Sequence, residues 1–121
     1  MIFPIEIYGA SILRQKTKEI DFKNIDNNEL TKLIDSMFET MYASDGVGLA
    51  APQVGHILRI FVIDASEMDK NDPELQNFKK VFINPIIIKK FGENKVFNEG
   101  CLSLPGIRED IVRPDNIIIR Y

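Results

Sequence analysis

A single stretch of helical periodicity, in a chain whose other apolar runs are short, constrains the fold most strongly. From Leu30 to Tyr42 the apolar residues recur at steps of three and four, the pattern of one helix face packed against a core. Asp26, with Glu29 three residues later, forms a capping-box-like start. Gly46 lies where the helix ends and is able to take the left-handed conformation after the last turn. These signals predict one long N-terminal helix.

The rest of the chain has the residue pattern of β-strands. Runs rich in β-branched and aromatic residues predict three strands, at Ile57–Ile63, Val81–Ile88 and Asn116–Tyr121. Polar residues at 64–80 predict a surface loop, and Gly92–Asn94 predicts a turn. Pro85 interrupts the second run, which favours an edge position or a bulge there. One long helix with several short strands indicates the α+β class.

Composition supports one domain, residues 1–121, and disfavours several classes of function. The 121 residues, 45% of them apolar, suffice for a single core. The net charge of −3, with lysines and arginines scattered, argues against direct nucleic-acid binding. No apolar run reaches the length of a membrane span, and the N-terminus lacks the basic start of a signal peptide. The single cysteine excludes an internal disulfide and fits a reducing cytoplasm.

The stretch Gly46–Ala51, GVGLAA, matches a loose dinucleotide-binding pattern, but its context is wrong. That pattern needs a strand before it and a helix after it, whereas here the predicted helix comes first and Pro52 soon follows. The small residues would let another backbone approach closely, and the Gln53 amide could donate a hydrogen bond beside them. The segment alone favours a simpler interpretation, a tight connection with an exposed glutamine.

Cys101, within EGCLSLPG, has three physical interpretations: an inert buried thiol, a nucleophile or a metal ligand. A nucleophilic cysteine needs a base, and no spacing places the only histidine, His56, beside it. A catalytic metal site usually has three protein ligands, so Cys101 and His56 alone fall short. Taken alone, the cysteine is best interpreted as inert, because free cysteines are usually buried.

Two motifs taken together give a more specific indication. Gly46–Gln53, GVGLAAPQ, and Glu99–Ser103, EGCLS, occur in this order and resemble the first and second signature motifs of the peptide deformylases. The stretch IYGASILRQKTKEI and the strand after the first motif are similar to the same family, so the resemblance covers nearly the whole chain. It implies mostly antiparallel strands with one long helix. It also implies a cytoplasmic hydrolase that removes the formyl group from the N-terminal formyl-methionine of nascent peptides, with the ribosome as a further partner.

The resemblance also assigns roles to individual residues. It implies that Cys101 binds one divalent metal as a thiolate, natively Fe(II), with Zn or Ni also accepted. Gln53 and the backbone N–H of Leu102 would stabilise the oxyanion, while Val47 and Gly48 would line the site for the peptide. The chemistry suits these residue types, because a metal lowers the pKa of bound water and preorganised donors stabilise developing negative charge.

The family's third motif, His-Glu-x-x-His on a helix, does not occur in this sequence, and the chain stops within the apolar run at Asn116–Tyr121. We therefore expect a domain truncated at its C-terminus, with the catalytic helix missing, that is inactive or weak as a chain of 121 residues. Two alternatives remain open. One is a non-catalytic deformylase-like pseudoenzyme or binding module, and the other is a hydrolase that uses Cys101 with His56.

Overall fold

The computed structural model describes all 121 residues, and the predicted helix is present as α1, Asn27–Ala43. A short 3-10 helix, Ser11–Arg14, precedes it. The side chain of Asp26 caps α1 by accepting hydrogen bonds from the backbone N–H groups of Asn28 and Glu29. The buried apolar residues of α1 are Leu30, Leu33, Met37, Phe38 and Met41. The apolar spacing therefore predicts the helix and most of its buried face; Tyr42, the last residue of the predicted apolar series, is 46% exposed.

The end of α1 differs from the prediction in one residue. Asp45, and not Gly46, adopts the left-handed conformation, with a φ of 57°. Gly46 instead lies against Leu102, since a Cβ atom on this glycine would stand 2.7 Å from Cδ1 of that leucine. Close packing, rather than backbone conformation, therefore explains the glycine.

A three-stranded antiparallel sheet follows α1, with the strand order β1–β2–β3. Its strands are β1, Gly48–Ala50, β2, Ile60–Asp64, and β3, Lys79–Ile83. β2 begins later than predicted because the residues before it pair with the N-terminal segment. Lys18 donates its backbone N–H to the carbonyl oxygen of Ile57 and accepts the N–H of Arg59. The connection between β2 and β3 lies where the polar residues predict it.

Pro85 lies in the connection after β3 rather than within a strand, so the predicted edge position or bulge is wrong. The preceding residue, Asn84, is left-handed, with a φ of 54°. Its side chain accepts the backbone N–H of Ile20 at 2.7 Å and donates to the carbonyl oxygen of the same residue at 3.0 Å. These two hydrogen bonds hold the connection between β3 and β4 against the N-terminal segment.

The second half of the chain is one long antiparallel hairpin, in which β4, Ile86–Cys101, pairs with β5, Leu104–Arg120. The turn predicted at Gly92–Asn94 is wrong, because β4 continues through these residues. The extra residues form an irregularity in the pairing between Phe91 and Asn94. The strand predicted at the end of the chain is the last part of β5.

The core lies between α1 and the three-stranded sheet. Eleven buried residues form its main cluster, and none of them belongs to β4 or β5. The cluster comprises Ile20, Leu30, Leu33, Met37, Phe38, Met41, Leu49, Ala51, Val54, Ile60 and Val62. The architecture confirms the α+β class, with mostly antiparallel strands and one α-helix. No helix combines the length and the apolar character needed to span a bilayer.

Candidate active site

The two sequence motifs meet at one cleft, where the turn between β4 and β5 approaches the segment that follows α1. The cleft has a volume of about 890 Å³, which is in the range of small-molecule sites. The structure brings together in its lining all the residues to which the resemblance assigns a role. They are Val47, Gly48, Gln53, Cys101 and Leu102. Their placement is compatible with those roles, which remain predictions.

Gln53 is held at both ends of its side-chain amide. It belongs to a 3-10 turn, Ala51–Val54, and its Oε1 accepts the backbone N–H of Ala50 at 3.0 Å. Its Nε2 donates to Oγ of Ser103 at 3.1 Å and lies 3.8 Å from Sγ of Cys101. The simpler interpretation of an exposed glutamine is therefore wrong, because the amide is fixed beside the only thiol of the chain.

In the hairpin turn, Ser103 is buried and Leu102 is half-buried, whereas the neighbouring Cys101 is exposed. Ser103 is 5% exposed, and Leu102 packs against the core cluster. Because the thiol of Cys101 is exposed, its interpretation as an inert buried group is wrong. The backbone N–H of Leu102 donates to no protein group, which leaves this donor available to a ligand.

The N-terminal segment joins the two motifs, a contact that the sequence reasoning did not anticipate. The backbone N–H of Glu6 donates to the carbonyl oxygen of Gln53 at 2.7 Å. Two residues later, the N–H of Tyr8 donates to the carbonyl oxygen of Ser103 at 2.8 Å. Such spacing is typical of extended backbone, and the alternation of apolar residues in IFPIEIY was the signal available in the sequence.

Gly48 lies on β1, which forms an edge of the three-stranded sheet. Backbone groups of successive residues in an antiparallel strand point to opposite sides. The carbonyl oxygen of Val47 accepts the N–H of Asp64 at 2.9 Å, whereas the N–H of Ala50 bonds to the side chain of Gln53. Gly48 shares the orientation of Ala50, so its N–H and C=O point to the open edge. An added strand could pair with them there.

A complete metal centre is not formed by these residues. Catalytic metal sites usually have three protein ligands, and no group of three or more His, Cys, Asp or Glu residues is close enough to hold a metal ion. Cys101 is one suitable ligand, and its side-chain neighbour is the amide of Gln53. The only histidine, His56, makes no side-chain hydrogen bond and packs against Phe3, with the ring centroids 5.6 Å apart. The structure therefore gives no support to a Cys101–His56 hydrolase.

Glu99, two residues before Cys101, is engaged in an ion pair within the hairpin. Arg113 of β5 donates to both of its carboxylate oxygens, and the Nη2–Oε1 distance is 2.7 Å. The hydrogen bonds and the positive charge of Arg113 lower the pKa of the Glu99 carboxyl. Glu99 is thus an ionised, paired group that flanks the cysteine, and the motif alone did not reveal its partner.

Comparisons with known proteins agree with the motifs. The family model for polypeptide deformylase matches residues 2–121. A peptide deformylase from Karelsulcia muelleri is 53% identical over the whole of this chain, and the chain spans 60% of that protein's own length. A class I type b peptide deformylase from Acinetobacter baumannii is similar in structure, with a TM-score of 0.88 and 30% identity; all of this chain and 76% of that one are covered.

A crystal structure of the peptide deformylase from Thermotoga maritima is similarly close. Its TM-score is 0.85 at 38% identity, and the match covers all of this chain and 74% of that one. Identity over the full chain, the shared fold and the ordered motifs agree with one another. The chain belongs to the polypeptide deformylase family.

Proposed function

We propose that this chain supplies the peptide-docking and oxyanion-binding parts of a deformylase site. The substrate would be the N-terminal formyl-methionine of nascent peptides in the cytoplasm. The observation that carries the proposal is the amide of Gln53, which contacts Ser103 and Cys101 of the second motif while belonging to the first. That contact joins an exposed thiol to a fixed hydrogen-bond donor in one cleft.

The substrate backbone would dock as an added strand along β1. The open edge at Gly48 offers one N–H and one C=O, the groups that pair in strand addition. Val47 is 46% exposed beside it and offers apolar surface to the substrate. The cleft of about 890 Å³ is large enough for a methionine side chain with the formyl group attached.

Two donors would stabilise the charge that develops during hydrolysis. Attack on the formyl carbon makes it tetrahedral and places negative charge on its oxygen. The amide nitrogen of Gln53 donates to Oγ of Ser103 at 3.1 Å and, in a longer contact of 3.8 Å, to Sγ of Cys101; the longer contact is the one that the substrate oxygen would replace. The N–H of Leu102 has no protein acceptor. Removal of one such donor in other enzymes lowers the rate by roughly 100- to 1,000-fold.

The source of the attacking water is a separate question. The family is metal-dependent, and Cys101 would supply a thiolate to one divalent ion, which we propose is Fe(II), with Zn or Ni as substitutes. One thiolate does not meet the ligand requirement of a catalytic ion, so these 121 residues alone would not hold a metal ion in a catalytic geometry. We therefore expect the purified 121-residue polypeptide to lose metal on desalting and to release no formate.

Peptide binding can be tested on the 121-residue chain itself. We expect titration with formyl-Met-Ala-Ser to shift the amide resonances of Gly48 and Leu102 in a 15N-labelled sample. Gln53→Ala should weaken this binding by about fivefold, the effect of one lost hydrogen bond. Gln15→Ala is the matched control, because the Gln15 side chain makes no hydrogen bond and is exposed.

Three results would contradict parts of the proposal. An unshifted spectrum would exclude peptide docking by this chain. Equal weakening by Gln53→Ala and Gln15→Ala would remove the role of Gln53 as a donor. Clear formate release by the desalted polypeptide would contradict the conclusion that its metal site is incomplete.

A further inference from the structure

A polar cluster joins the end of α1 to the end of β2, and none of its residues lines the cleft. Tyr42 donates its hydroxyl hydrogen to Oδ2 of Asp64 at 2.5 Å. The other oxygen of that carboxylate, Oδ1, accepts the N–H of Ser66 at 3.0 Å and its hydroxyl at 2.6 Å. Both carboxylate oxygens are therefore occupied, and the side chain of Asp64 has one fixed orientation.

The ring of Tyr42 is fixed as well, although the side chain is 46% exposed. It stacks on Phe38, one turn earlier in α1, with the ring centroids 6.1 Å apart. Nζ of Lys79 lies 5.8 Å from its ring centroid, and Lys79 faces Asp64 in the pairing of β2 with β3. The hydroxyl is thus presented to Asp64 from a ring with contacts to both α1 and β3.

The backbone of Asp64 transmits this fixation to the first motif. Its N–H donates to the carbonyl oxygen of Val47 at 2.9 Å, a hydrogen bond that lies directly before the pairing of β1 with β2. The chain from Tyr42 to Val47 therefore forms a loop whose two ends are both bound by Asp64. The side chain of Asp64 holds the start of the loop, and its main chain holds the end.

We propose that Tyr42 is a positioning residue for the peptide-docking edge: through Asp64 it holds Val47 and thereby fixes the direction of the Gly48 N–H and C=O. This inference rests on the proposed function, since it concerns the edge on which the peptide docks. Tyr42 does not touch the substrate. Its hydroxyl acts two contacts away, on the carbonyl group next to the docking glycine.

The cluster also explains why a short β1 keeps its register. β1 has three residues and only one neighbouring strand, and a strand of this length is weakly held by its own pairing. The loop before it contains Asp45 in the left-handed conformation, which a non-glycine residue adopts at some cost. The contact between Tyr42 and Asp64 opposes the opening of this loop and keeps Gly48 in line.

The experiment compares Tyr42→Phe with one control variant in the 121-residue chain. Tyr121→Phe makes the same chemical change at a residue whose hydroxyl has no protein partner and whose ring packs on Phe82. Two quantities are measured: the hydrogen exchange of backbone amides, and the dissociation constant for formyl-Met-Ala-Ser from the same spectra.

We expect Tyr42→Phe to speed exchange of the Asp64 amide by about fivefold and to weaken peptide binding by a similar factor. Exchange at Val62, which pairs with Leu49 in the same strand pair, should change by less than about twofold. Tyr121→Phe should stay within about twofold of the wild type in both measurements.

An unchanged exchange rate at Asp64 in Tyr42→Phe would overturn the proposal. Equal acceleration at Asp64 and Val62 would do the same, because it would reveal a general loss of stability. If the wild type binds no peptide, the proposed function fails for this chain. The exchange rates at Asp64 and Val62 still decide, in that case, whether Tyr42 holds Val47.

Discussion

Residues 1–83 and the hairpin of β4 and β5 differ in what holds them together. The first region contains the whole main core cluster, built from α1, the three-stranded sheet and the segments between them. The hairpin contributes no residue to that cluster, although it has the longest strands of the molecule. Its turn is inserted into the first region through Leu102 and Ser103, and at the other end of the hairpin the ring of Tyr121 packs on Phe82. The candidate site lies where these two kinds of structure meet.

The hairpin strands are exposed on both faces. Val96 and Val112 are directly opposite each other, and each is 64% exposed. On the other face, Phe97 opposite Ile111 is 42% exposed. Since two-stranded hairpins are marginally stable on their own, we infer that the contacts of the turn contribute strongly to holding this one in place.

The same substitution in each region should give the largest contrast. Val62 in β2 is 0% exposed and Val112 in β5 is 64% exposed. Val62→Ala removes two buried methyl groups and leaves a cavity, so we expect the free energy of unfolding to fall by about 2 kcal/mol. Val112→Ala should change it by less than about 0.5 kcal/mol. Urea unfolding followed by circular dichroism measures both, and similar losses would remove the distinction.

A pair of glycine substitutions tests how the two regions are joined. In Gly46→Ala the new methyl group would stand 2.7 Å from Leu102, whereas in Gly48→Ala its nearest neighbour is the carbonyl oxygen of Val62 at 3.6 Å. We expect the first variant to displace the hairpin turn and to cost about 1 kcal/mol. The second should stay within about 0.5 kcal/mol of the wild type.

Thermal unfolding gives these stabilities, and the amide resonance of Leu102 reports movement of the turn. Equal stability of the two alanine variants, with the Leu102 resonance unmoved in both, would mean that Gly46 is not needed for the junction.

The smallest expected effect is a pH dependence within the first region. Hydrogen bonds from Ser66 and Tyr42 lower the pKa of Asp64, with a further contribution from the positive charge of Lys79. Partial burial, the hydrogen bond to Asp64 and the charge of that carboxylate raise the pKa of Tyr42 from 10.0 to about 12. Asp64 stabilises the fold at pH values above the pKa of its carboxyl in the unfolded chain, and this contribution is lost as the pH falls through its lowered pKa in the folded chain. Tyr42 stabilises the fold at pH values below the pKa of its hydroxyl in the unfolded chain, and this contribution is lost as the pH rises to about 12.

The stability difference between the wild type and Tyr42→Phe should therefore be largest between about pH 4 and pH 10. It should decrease on either side. Because Tyr42 is 46% exposed, solvent screening keeps the difference below about 1 kcal/mol. Melting temperatures across this range measure it, and a difference independent of pH would show that the two groups are not coupled.

Local patterns predicted the elements that depend on neighbouring residues. The spacing from Leu30 to Met41 identified α1 and its buried face, because helical contacts lie three or four residues apart. The cap at Asp26 was found for the same reason. The left-handed residue after α1 was predicted one position too late, at Gly46 instead of Asp45. The glycine is explained by its close contact with Leu102, which is distant in the sequence.

Elements that depend on distant pairing were predicted less well. Gly92–Asn94 looks like a turn, yet pairing with β5 carries β4 through it to Cys101. The ordered motifs, through their resemblance to a family, singled out Gln53 and Cys101. In the structure, Nε2 of Gln53 lies 3.8 Å from Sγ of Cys101. No local pattern pointed to the buried partner Ser103, because that contact joins residues 50 positions apart.

The ties of the N-terminal segment to Gln53 and Ser103 have a consequence for the order of folding. These hydrogen bonds connect the beginning of the chain to its middle and to the hairpin turn. Each requires the closure of a long loop, whose entropy opposes early formation. Contacts within α1 and between β1 and β2 involve much shorter separations. The candidate site would therefore assemble late in folding, after α1 and the three-stranded sheet that support it. A partly folded chain would contain the helix and the sheet before it contained the cleft.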